Sequence, residues 1–430
     1  MSVVSGAAAA EDAASHRRRR ILLSLMMFGE YAVWGAWMPI LSATLVGRGV
    51  RGDDVGLIYG GLWLACIITP FIGGQLVDRR MSSQKFLGIS HLLAAFAAFW
   101  MSRQTTTTGY LIGLLVWALL YAPSLGITNS IAFHHIDRAG LPEAAKEREF
   151  SIIRTAGTLG WIVAAFLLLG FIKISGVDPT GKTGLLPEML LTGILGIAMA
   201  VLSFFLPNTP PATDKRADPL AWRESLTLFR TVPGFTVFML VSFVAAMEFQ
   251  FFYVLSGPFL ESGLFLHIAH QWIAPTKAIS QAAEIIALGV LLPLWLPRKG
   301  MRWCLLLGSF AWPLRYVIFA LGKPALLVIL SLGLHGFGYA FVLVVQQLYV
   351  DRVAPKDIRA SAQSLLTLIT LGLGNFLGSI YCGKVLQHYT VNGVIDWPPV
   401  FLQPAILTLL CAFAYLFTFR NPVSTQEAAR

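Results

Sequence analysis

Long apolar stretches separated by short polar connections dominate the chain. They lie near residues 21–46, 55–76, 86–102, 109–133, 152–172 and 184–206, and again near 234–257, 276–297, 301–320, 325–348, 359–383 and 398–419. Each stretch is close to the roughly 20 residues that an α-helix needs to cross a bilayer. The polar segment between the two sets is the longest, so the pattern predicts twelve transmembrane helices in two groups of six.

The domain organisation follows from this pattern. We expect an all-α membrane protein with a six-helix bundle at 21–206, a cytoplasmic linker at 207–233 and a second six-helix bundle at 234–419. Cytoplasmic tails at 1–20 and 420–430 complete the chain. Two six-helix halves joined by a polar linker are the layout of the major facilitator fold, in which the ligand site lies near the bilayer midplane between the halves.

Composition agrees with a membrane protein and excludes several other classes. Of the 430 residues, 56% are hydrophobic and 13% are charged, which is about half the charged share of a soluble domain. These values exclude a soluble enzyme, a disordered chain and a secreted disulfide scaffold. The four cysteines show no CxxC spacing, so we expect no metal site. The absence of a GxxxxGK[ST] motif argues against ATP-driven pumping, and we expect no cofactor.

The distribution of basic residues predicts the orientation. With the N-terminus inside, the predicted cytoplasmic segments hold 22 lysine and arginine residues, and the predicted outer segments hold 7. This bias follows the positive-inside rule and places both termini in the cytoplasm. It also explains the net charge of +10 without nucleic acid as a partner.

The connection after the second predicted helix carries a motif that combines glycine, acid and base. Gly74, Asp78 and Arg79 match the Gly-x-Leu-x-Asp-Arg pattern that major facilitator transporters carry in this loop. In one conformation Asp78 can lie near a helix N-terminus and a basic group, and in the other it can release them. We therefore take the three residues as a candidate gating motif.

Ionisable residues inside predicted spans are few, and such residues usually face a cavity or a partner. In the first half, Glu30 shares a helix face with two tryptophans. Arg154, Thr158 and Trp161 share a face at i, i+4 and i+7 and suit a polar solute with a flat part. The alternative is that Arg154 holds the halves together by pairing with one of three carboxylates, those of Glu30, Glu248 and Glu284.

The second half carries three pairs of polar or aromatic residues that share a helix face. They are Gln250 with Tyr253, Gln281 with Glu284, and His335 with Tyr339. An amide and a carboxylate together can bind hydroxyl groups or the edge of a heterocyclic base. For the histidine, both a structural donor and a transport role stay open.

Several segments resemble one family in order and spacing. The run 150–161 contains the pattern Arg-x-x-Gly-Thr-x-Gly followed by an aromatic residue. Further similar segments are 121–125 with 128–130, 279–284, 358–363 and 391–397. Over about Leu22 to Phe419 the chain resembles the nucleoside:H⁺ symporter family of the major facilitator superfamily.

The resemblance implies a central cavity for a nucleoside and uptake driven by the proton gradient across the plasma (bacterial inner) membrane, by a functional monomer. Arg154, Thr158, Gln250, Gln281 and Glu284 match the family's substrate-contacting positions in residue type. Trp161 and Tyr339 stand where the family places aromatic residues.

The chain also departs from the family at four positions. Tyr253 stands where the family has an asparagine, His335 where it has a tyrosine, and both stay candidate substrate contacts. Ala340 replaces an aspartate, and Glu30 stands in the place of a glutamine. Because that aspartate is missing, we expect the proton site at Glu284, or alternatively at Glu30.

The favoured hypothesis is therefore a symporter that moves a nucleoside inward with H⁺. One alternative is a carrier of sugars, organic anions or other polar solutes. Another is a nutrient sensor on the same scaffold, which would bind its ligand without transporting it. An intramembrane enzyme finds no support, because no convincing nucleophile or metal cluster stands out in the sequence.

Overall fold

A computed structural model describes residues 2–178, 181, 184–211, 221–262, 266–355 and 358–419. Within these ranges, it describes side chains at all positions except 2–14, 70–80, 143–144, 221–222 and 360. The described chain is helical apart from one short antiparallel hairpin, in which β1 (Thr390–Val391) pairs with β2 (Val394–Ile395). The expected all-α membrane fold is confirmed.

The first half of the chain forms seven helices in the described ranges. They are α1 (Ser2–Gly35), α2 (Leu41–Gly47), α3 (Gly52–Arg80), α4 (Ser83–Ser102), α5 (Thr107–Asp137), α6 (Glu143–Ser175) and α7 (Pro187–Ser203). The expected linker at 207–233 and the expected tail at 420–430 include residues 212–220 and 420–430, which lie outside the described residues.

The second half is divided into more, shorter helices. They are α8 (Leu228–Thr231), α9 (Phe235–Gln250), α10 (Ser256–Ser262), α11 (Ile273–Ile286), α12 (Leu292–Leu321), α13 (Ala325–Ser331), α14 (Gly333–Gly338), α15 (Val345–Val353), α16 (Arg359–Thr367), α17 (Asn375–His388) and α18 (Trp397–Thr418). Two 3₁₀ turns lie at Ala221–Thr227 and His270–Trp272. Four π-helical turns join consecutive helices, at Phe251–Leu255, Ala287–Leu291, Tyr339–Val344 and Leu368–Gly374.

Nine helical stretches in the described ranges are long and apolar enough to cross a membrane. One of them, His270–Leu321, contains a break at Gly300, whose φ of 76° and ψ of 171° suit glycine alone. The apolar stretches predicted near 276–297 and 301–320 meet at this break. The count of twelve spans stays a prediction.

The first predicted span is interrupted. The apolar stretch at 21–46 predicts one helix, whereas α1 ends at Gly35 and α2 begins at Leu41. Pro39 lies in the turn between them and has no N–H to continue the helical hydrogen bonds. The interruption is thus local chemistry that hydrophobicity alone does not register.

Helices pack mainly against others of their own half. In the first half α1 packs on α6, and α4 packs on α5 and α7, while in the second α12 packs on α18, and α9 packs on α17 and α18. The contacts between halves include α3 with α17 and α6 with α11. Large apolar side chains such as Leu240, Ile406 and Phe417 point outward and are more than half exposed, as a lipid-facing surface requires.

One end of the molecule is held shut by contacts between the halves, and we call it the closed end. It is defined by Thr44 and Gly52 from the first half and by His270 and Gln387 from the second. Thr44 Oγ1 lies 3.2 Å from His270 Nε2, and the Gly52 N–H donates to Gln387 Oε1 at 2.9 Å. Beside them α3 and α17 touch at Gly383, where an added Cβ would lie 2.6 Å from the Gly52 oxygen.

We expect Gly383→Val to force α3 and α17 apart and to loosen the closed end. Overpacking of this kind costs about 1–3 kcal/mol, so a Thr44→Cys reporter should react with a membrane-impermeant maleimide roughly fivefold faster or more. Gly170→Val is the matched control, because an added Cβ at that α6 glycine meets no atom within 4 Å. Equal labelling rates in the two variants would show that the contact does not hold this end shut.

Candidate functional site

A cavity of about 930 Å³ lies between the two halves. Its volume is at the upper end of the range that small-molecule sites occupy in proteins. Its walls come from α1, α3, α5 and α6 on one side and from α9, α11, α16 and the π turn at Tyr339–Val344 on the other. The lining extends to Ser83, His134 and Thr209, so the cavity runs toward the end opposite the closed end.

Seven of the nine predicted substrate contacts line this cavity. They are Arg154, Thr158, Trp161, Tyr253, Gln281, Glu284 and Tyr339. Gln250, His335 and the predicted proton site Glu30 are not among its lining residues. The candidate gating residues Gly74, Asp78 and Arg79 belong to the last turns of α3, and their side chains lie outside the described residues.

Arg154 stands on the first-half wall against an aromatic face. Its guanidinium carbon lies 4.2 Å from the ring centroid of Tyr31 on α1. Among the described residues, no carboxylate lies within salt-bridge distance of the Arg154 guanidinium, so the alternative of an ion pair between the halves is not observed in this conformation. A guanidinium has five N–H donors, so one that lies against a ring still offers donors to a ligand.

The glycines of the 150–161 motif explain why Arg154 and Tyr31 meet. An added Cβ at Gly157 would lie 2.6 Å from the Tyr31 ring, and one at Gly160 would overlap the backbone of Phe28. Only glycine permits this close approach of α6 to α1. The motif therefore builds the wall by packing as well as supplying its polar groups.

Aromatic rings form a continuous apolar band beside these polar groups. The Trp34 and Trp161 rings meet edge to face at a centroid distance of 5.3 Å, and Trp63 lies 6.1 Å from Trp34. Trp161 also approaches Tyr253 of the second half at 6.5 Å. Flat faces and edges of this kind suit a planar ring as a ligand.

The wall of the second half carries the hydrogen-bonding groups of α11. Gln281 is 7% exposed, Glu284 is partly exposed, and both line the cavity. An added Cβ at Gly336 would lie 2.8 Å from the backbone of Ala283, so glycine lets α14 press against this part of α11. The two side chains are thus presented by a tightly packed pair of helices.

Gln250 lies behind the wall and links the halves. Its Oε1 accepts hydrogen bonds from Trp63 Nε1 on α3 and from Ser379 Oγ on α17, each at 3.0 Å. The side chain is fully buried. In this conformation Gln250 therefore supports the joint between the halves, and its oxygen is already occupied.

His335 also lies behind the wall, next to a buried ion pair. Its Nδ1 is 3.1 Å from Arg315 NH1, and its Nε2 is 3.3 Å from the Tyr253 hydroxyl. Arg315 NH2 donates to Glu248 Oε1 at 2.7 Å. The sequence shows only two opposite charges in separate spans, because it does not reveal which helices become neighbours.

Glu30 is fully buried within the first half. Its Oε2 lies 2.9 Å from His91 Nε2 on α4, and its Oε1 lies 2.5 Å from Ser124 Oγ on α5. Sequence reasoning missed His91, which is the one other ionisable side chain that contacts the Glu30 carboxylate in the described structure. The usable signal was that a histidine in the apolar stretch 86–102 also needs a partner.

Other lining residues were not selected from the sequence. They include the aromatic and amide side chains of Tyr31, Trp34, Trp63, Asn129, Gln346 and Asn375. Aromatic side chains also lie on the outer surface, as Trp100 does at 47% exposed, so residue type alone does not separate those that face the cavity from those that face lipid.

Comparisons with known proteins show which family and which solved structures the chain resembles. The profile of the family described as nucleoside H⁺ symporter matches residues 18–424. YegT of Escherichia coli strain K12, which carries the name of a nucleoside transporter, is 33% identical over 93% of this chain and 93% of its own. The nucleoside permease NupG of the same strain is 26% identical over 95% of this chain and 98% of its own.

Solved structures give the same result for the fold. A crystal structure of a mutant of the nucleoside transporter NupG superposes with a TM-score of 0.83 and 26% identity, covering 93% of this chain and 100% of that chain. A D-xylose-proton symporter superposes with a TM-score of 0.70 and 14% identity, covering 94% and 98%. The second likeness shows the shared fold alone.

We expect Trp63→Phe to weaken the joint between the halves, because it removes the indole donor to Gln250 and keeps most of the ring. A lost hydrogen bond of this kind costs about 0.5–1.5 kcal/mol, so the Thr44→Cys reporter should label roughly threefold faster. Ser379→Ala is the control, since it removes the other donor to the same oxygen within the second half. If both variants change labelling equally, the effect is general destabilisation and not release of the joint.

Proposed function

This chain belongs to the nucleoside H⁺ symporter family, and we propose that it imports nucleosides together with protons through the cavity between its halves. It is an integral membrane transporter of the major facilitator fold and not an enzyme. The observation that carries the proposal is the joint presence, in one cavity, of polar groups from both halves and a band of aromatic rings. A nucleoside matches this combination because it joins a flat heterocycle to a hydroxylated sugar.

The residues divide the work of binding between them. Arg154 and Gln281 offer N–H donors from opposite walls, and Glu284 offers carboxylate oxygens. Trp161 and Tyr339 flank the ring of the base. The aromatic band is what favours a nucleoside over a sugar, which has no flat ring to cover.

The conformation supports a particular step of transport. The cavity extends toward Ser83, His134 and Thr209, and the basic residues of the sequence assign that end to the cytoplasm. We infer an inward-facing state of a bacterial inner-membrane protein with both termini in the cytoplasm. The bundles 21–206 and 234–419 then rock about the central site as a functional monomer, joined by the linker 207–233.

Gln250 and His335 take a supporting role in this proposal. Each is buried behind the wall, and each contacts a residue that lines the cavity, Trp63 and Tyr253 respectively. A change at either residue acts on the ligand through that neighbour. The gating role of Gly74, Asp78 and Arg79 rests on their sequence pattern.

Glu284 is the carboxylate that we propose for proton coupling. It faces the cavity near Arg154, whereas Glu30 is enclosed by His91 and Ser124. When a proton and a substrate bind beside each other, each changes the other's affinity by the same factor. Glu30 is the second candidate, because a proton can be shared with its histidine partner.

The proposal is tested by uptake of labelled uridine and adenosine into proteoliposomes. With an inward proton gradient we expect both to accumulate above the external concentration, and a protonophore should abolish accumulation while leaving equilibration. Labelled xylose should not accumulate. Binding of a nucleoside without any uptake would identify a sensor, and xylose uptake would identify a sugar carrier.

For Glu284→Gln we expect exchange of nucleoside to continue while proton-driven accumulation falls to a ratio of about one, since the amide cannot bind and release the proton. Wild-type uptake should rise as the external pH falls, and the variant should show no such rise. Glu147→Gln, at an exposed carboxylate on α6, is the control and should behave as wild type. Accumulation by Glu284→Gln at the wild-type ratio would remove Glu284 from the coupling role and direct attention to Glu30.

A further inference from the structure

Behind Tyr253 lies a series of buried polar contacts in which the donor and the acceptor of each hydrogen bond are determined. We propose that Tyr253 is a fixed hydrogen-bond donor that selects an acceptor atom on the nucleoside, and that the Arg315–Glu248 ion pair sets this direction through His335. The proposal rests on the proposed function and adds a specificity-determining residue to it. It also makes Arg315, Glu248 and His335 positioning residues, which act on the ligand through Tyr253.

The first member of this series is the guanidinium of Arg315, which is held in one orientation. Arg315 is 0% exposed and donates from NH2 to Glu248 Oε1 at 2.7 Å, which neutralises the charge inside the second half. Its guanidinium carbon lies 4.7 Å from the centroid of the Phe252 ring and 4.4 Å from that of Tyr316. The Tyr316 hydroxyl in turn donates to the backbone oxygen of Glu248 at 3.1 Å. These contacts leave the guanidinium little freedom to turn.

The cation determines which nitrogen of His335 carries the proton. Arg315 NH1 is 3.1 Å from His335 Nδ1. A guanidinium has donors and no acceptor, so Nδ1 must accept. An imidazole that accepts at Nδ1 carries its proton on Nε2. The Arg315 contact thus fixes both the neutral state and the tautomer of His335.

His335 then determines whether the Tyr253 hydroxyl donates or accepts. His335 Nε2 is 3.3 Å from the Tyr253 hydroxyl, and its ring stacks on Phe252 at a centroid distance of 3.9 Å with an interplanar angle of 15°. Because Nε2 carries the proton, the phenolic oxygen accepts it and keeps its own proton for another partner. Tyr253 lines the cavity, and the proposal directs that proton to the ligand.

The charges around His335 favour the same neutral state. Arg315 faces it from α12, and Lys277 lies nearby on α11 with its Nζ donating to the Tyr253 backbone oxygen at 3.2 Å. Glu248 from α9 is engaged by Arg315. A second proton on His335 would sit on Nδ1 and face the Arg315 guanidinium at 3.1 Å, so His335 orients the hydrogen bond of Tyr253 and carries no proton across the membrane.

The chemical consequence is a preference at one edge of the ligand. A donor fixed in a partly buried wall binds a carbonyl oxygen, a ring nitrogen or a sugar oxygen. A ligand that places an amino group there meets donor against donor. Glu284 has the opposite preference when it is ionised, because a carboxylate only accepts.

The test combines Tyr253→Phe with nucleosides that each lack one acceptor, measured by competition against labelled uridine or adenosine. The analogues are the 2′-, 3′- and 5′-deoxy forms of uridine and the 1-, 3- and 7-deaza forms of adenosine. We expect wild type to bind one analogue roughly five- to tenfold more weakly than its parent, as for one lost hydrogen bond. Tyr253→Phe should bind the parent that much more weakly and no longer distinguish the two.

The control is Tyr349→Phe, which alters a buried tyrosine of the second half that does not line the cavity and should keep the discrimination against that analogue. A uniform loss for all compounds in Tyr253→Phe would overturn the proposal, because it indicates a packing defect without a directed donor. Failure of the proposed function would look different, since labelled nucleoside would then not enter wild-type proteoliposomes at all.

A second variant tests the origin of the direction. Glu248→Gln combined with Arg315→Gln keeps the pair neutral and removes the guanidinium that makes His335 Nδ1 accept. An amide accepts as well as donates, so His335 is no longer held in one tautomer and can accept from the Tyr253 hydroxyl. Discrimination against that analogue should then fall toward the value of Tyr253→Phe. A loss of affinity for all compounds that leaves the discrimination at its wild-type value would contradict this positioning role.

Discussion

The interior of a membrane protein offers no water to a polar group, and this constraint decides the role of each ionisable side chain in the structure. Glu30 meets His91 inside the first half, and Glu248 meets Arg315 inside the second. Arg154 and Glu284 instead face the cavity, where water or a ligand can solvate them. Groups that are satisfied by a partner hold their half together, and groups that are satisfied only by the cavity are available for transport.

The helices of the second half place these groups through irregular turns. Three π turns begin at Phe251, Tyr339 and Leu368, and residues of each turn line the cavity. A π turn widens the helix and frees backbone groups, and it is common at functional sites. The backbone carbonyl of Tyr253 lies in such a turn and accepts a hydrogen bond from Lys277 Nζ. In the first half, glycines shape the cavity wall instead, because they let helices such as α6 and α1 approach each other closely.

The π turns explain why some site residues could be predicted from the sequence and others could not. Long apolar stretches and the 150–161 motif predict the fold and the polar groups of Arg154, Gln281 and Glu284, because helix length and co-facial spacing are local properties. The same spacing places Gln250 and Tyr253 on one face, and His335 with Tyr339 on another. In each of these pairs only the second residue lines the cavity. Each pair borders a π turn, where regular α-helical spacing does not hold.

The partners of buried charges were beyond the sequence for a different reason. Glu30 with His91, and Arg315 with Glu248, join residues that are far apart in the chain. Their pairing depends on which helices become neighbours, and a single sequence shows only that each charge needs a partner. Pro39 shows a different, local effect, since its missing N–H divides a stretch whose hydrophobicity is continuous.

The placement of strong and weak contacts favours movement between the halves. Two strong buried contacts, the Glu30–His91 hydrogen bond between α1 and α4 and the Glu248–Arg315 ion pair between α9 and α12, each lie within one half. Breaking the ion pair would cost several kcal/mol. The polar contacts between halves named above, Trp63 with Gln250, Thr44 with His270 and Gly52 with Gln387, are single hydrogen bonds. Each contributes about 1 kcal/mol, and water replaces it when the closed end opens. Each half can therefore keep its interior unchanged while the joint alternates, so the energy of a proton and a nucleoside is sufficient to shift the balance.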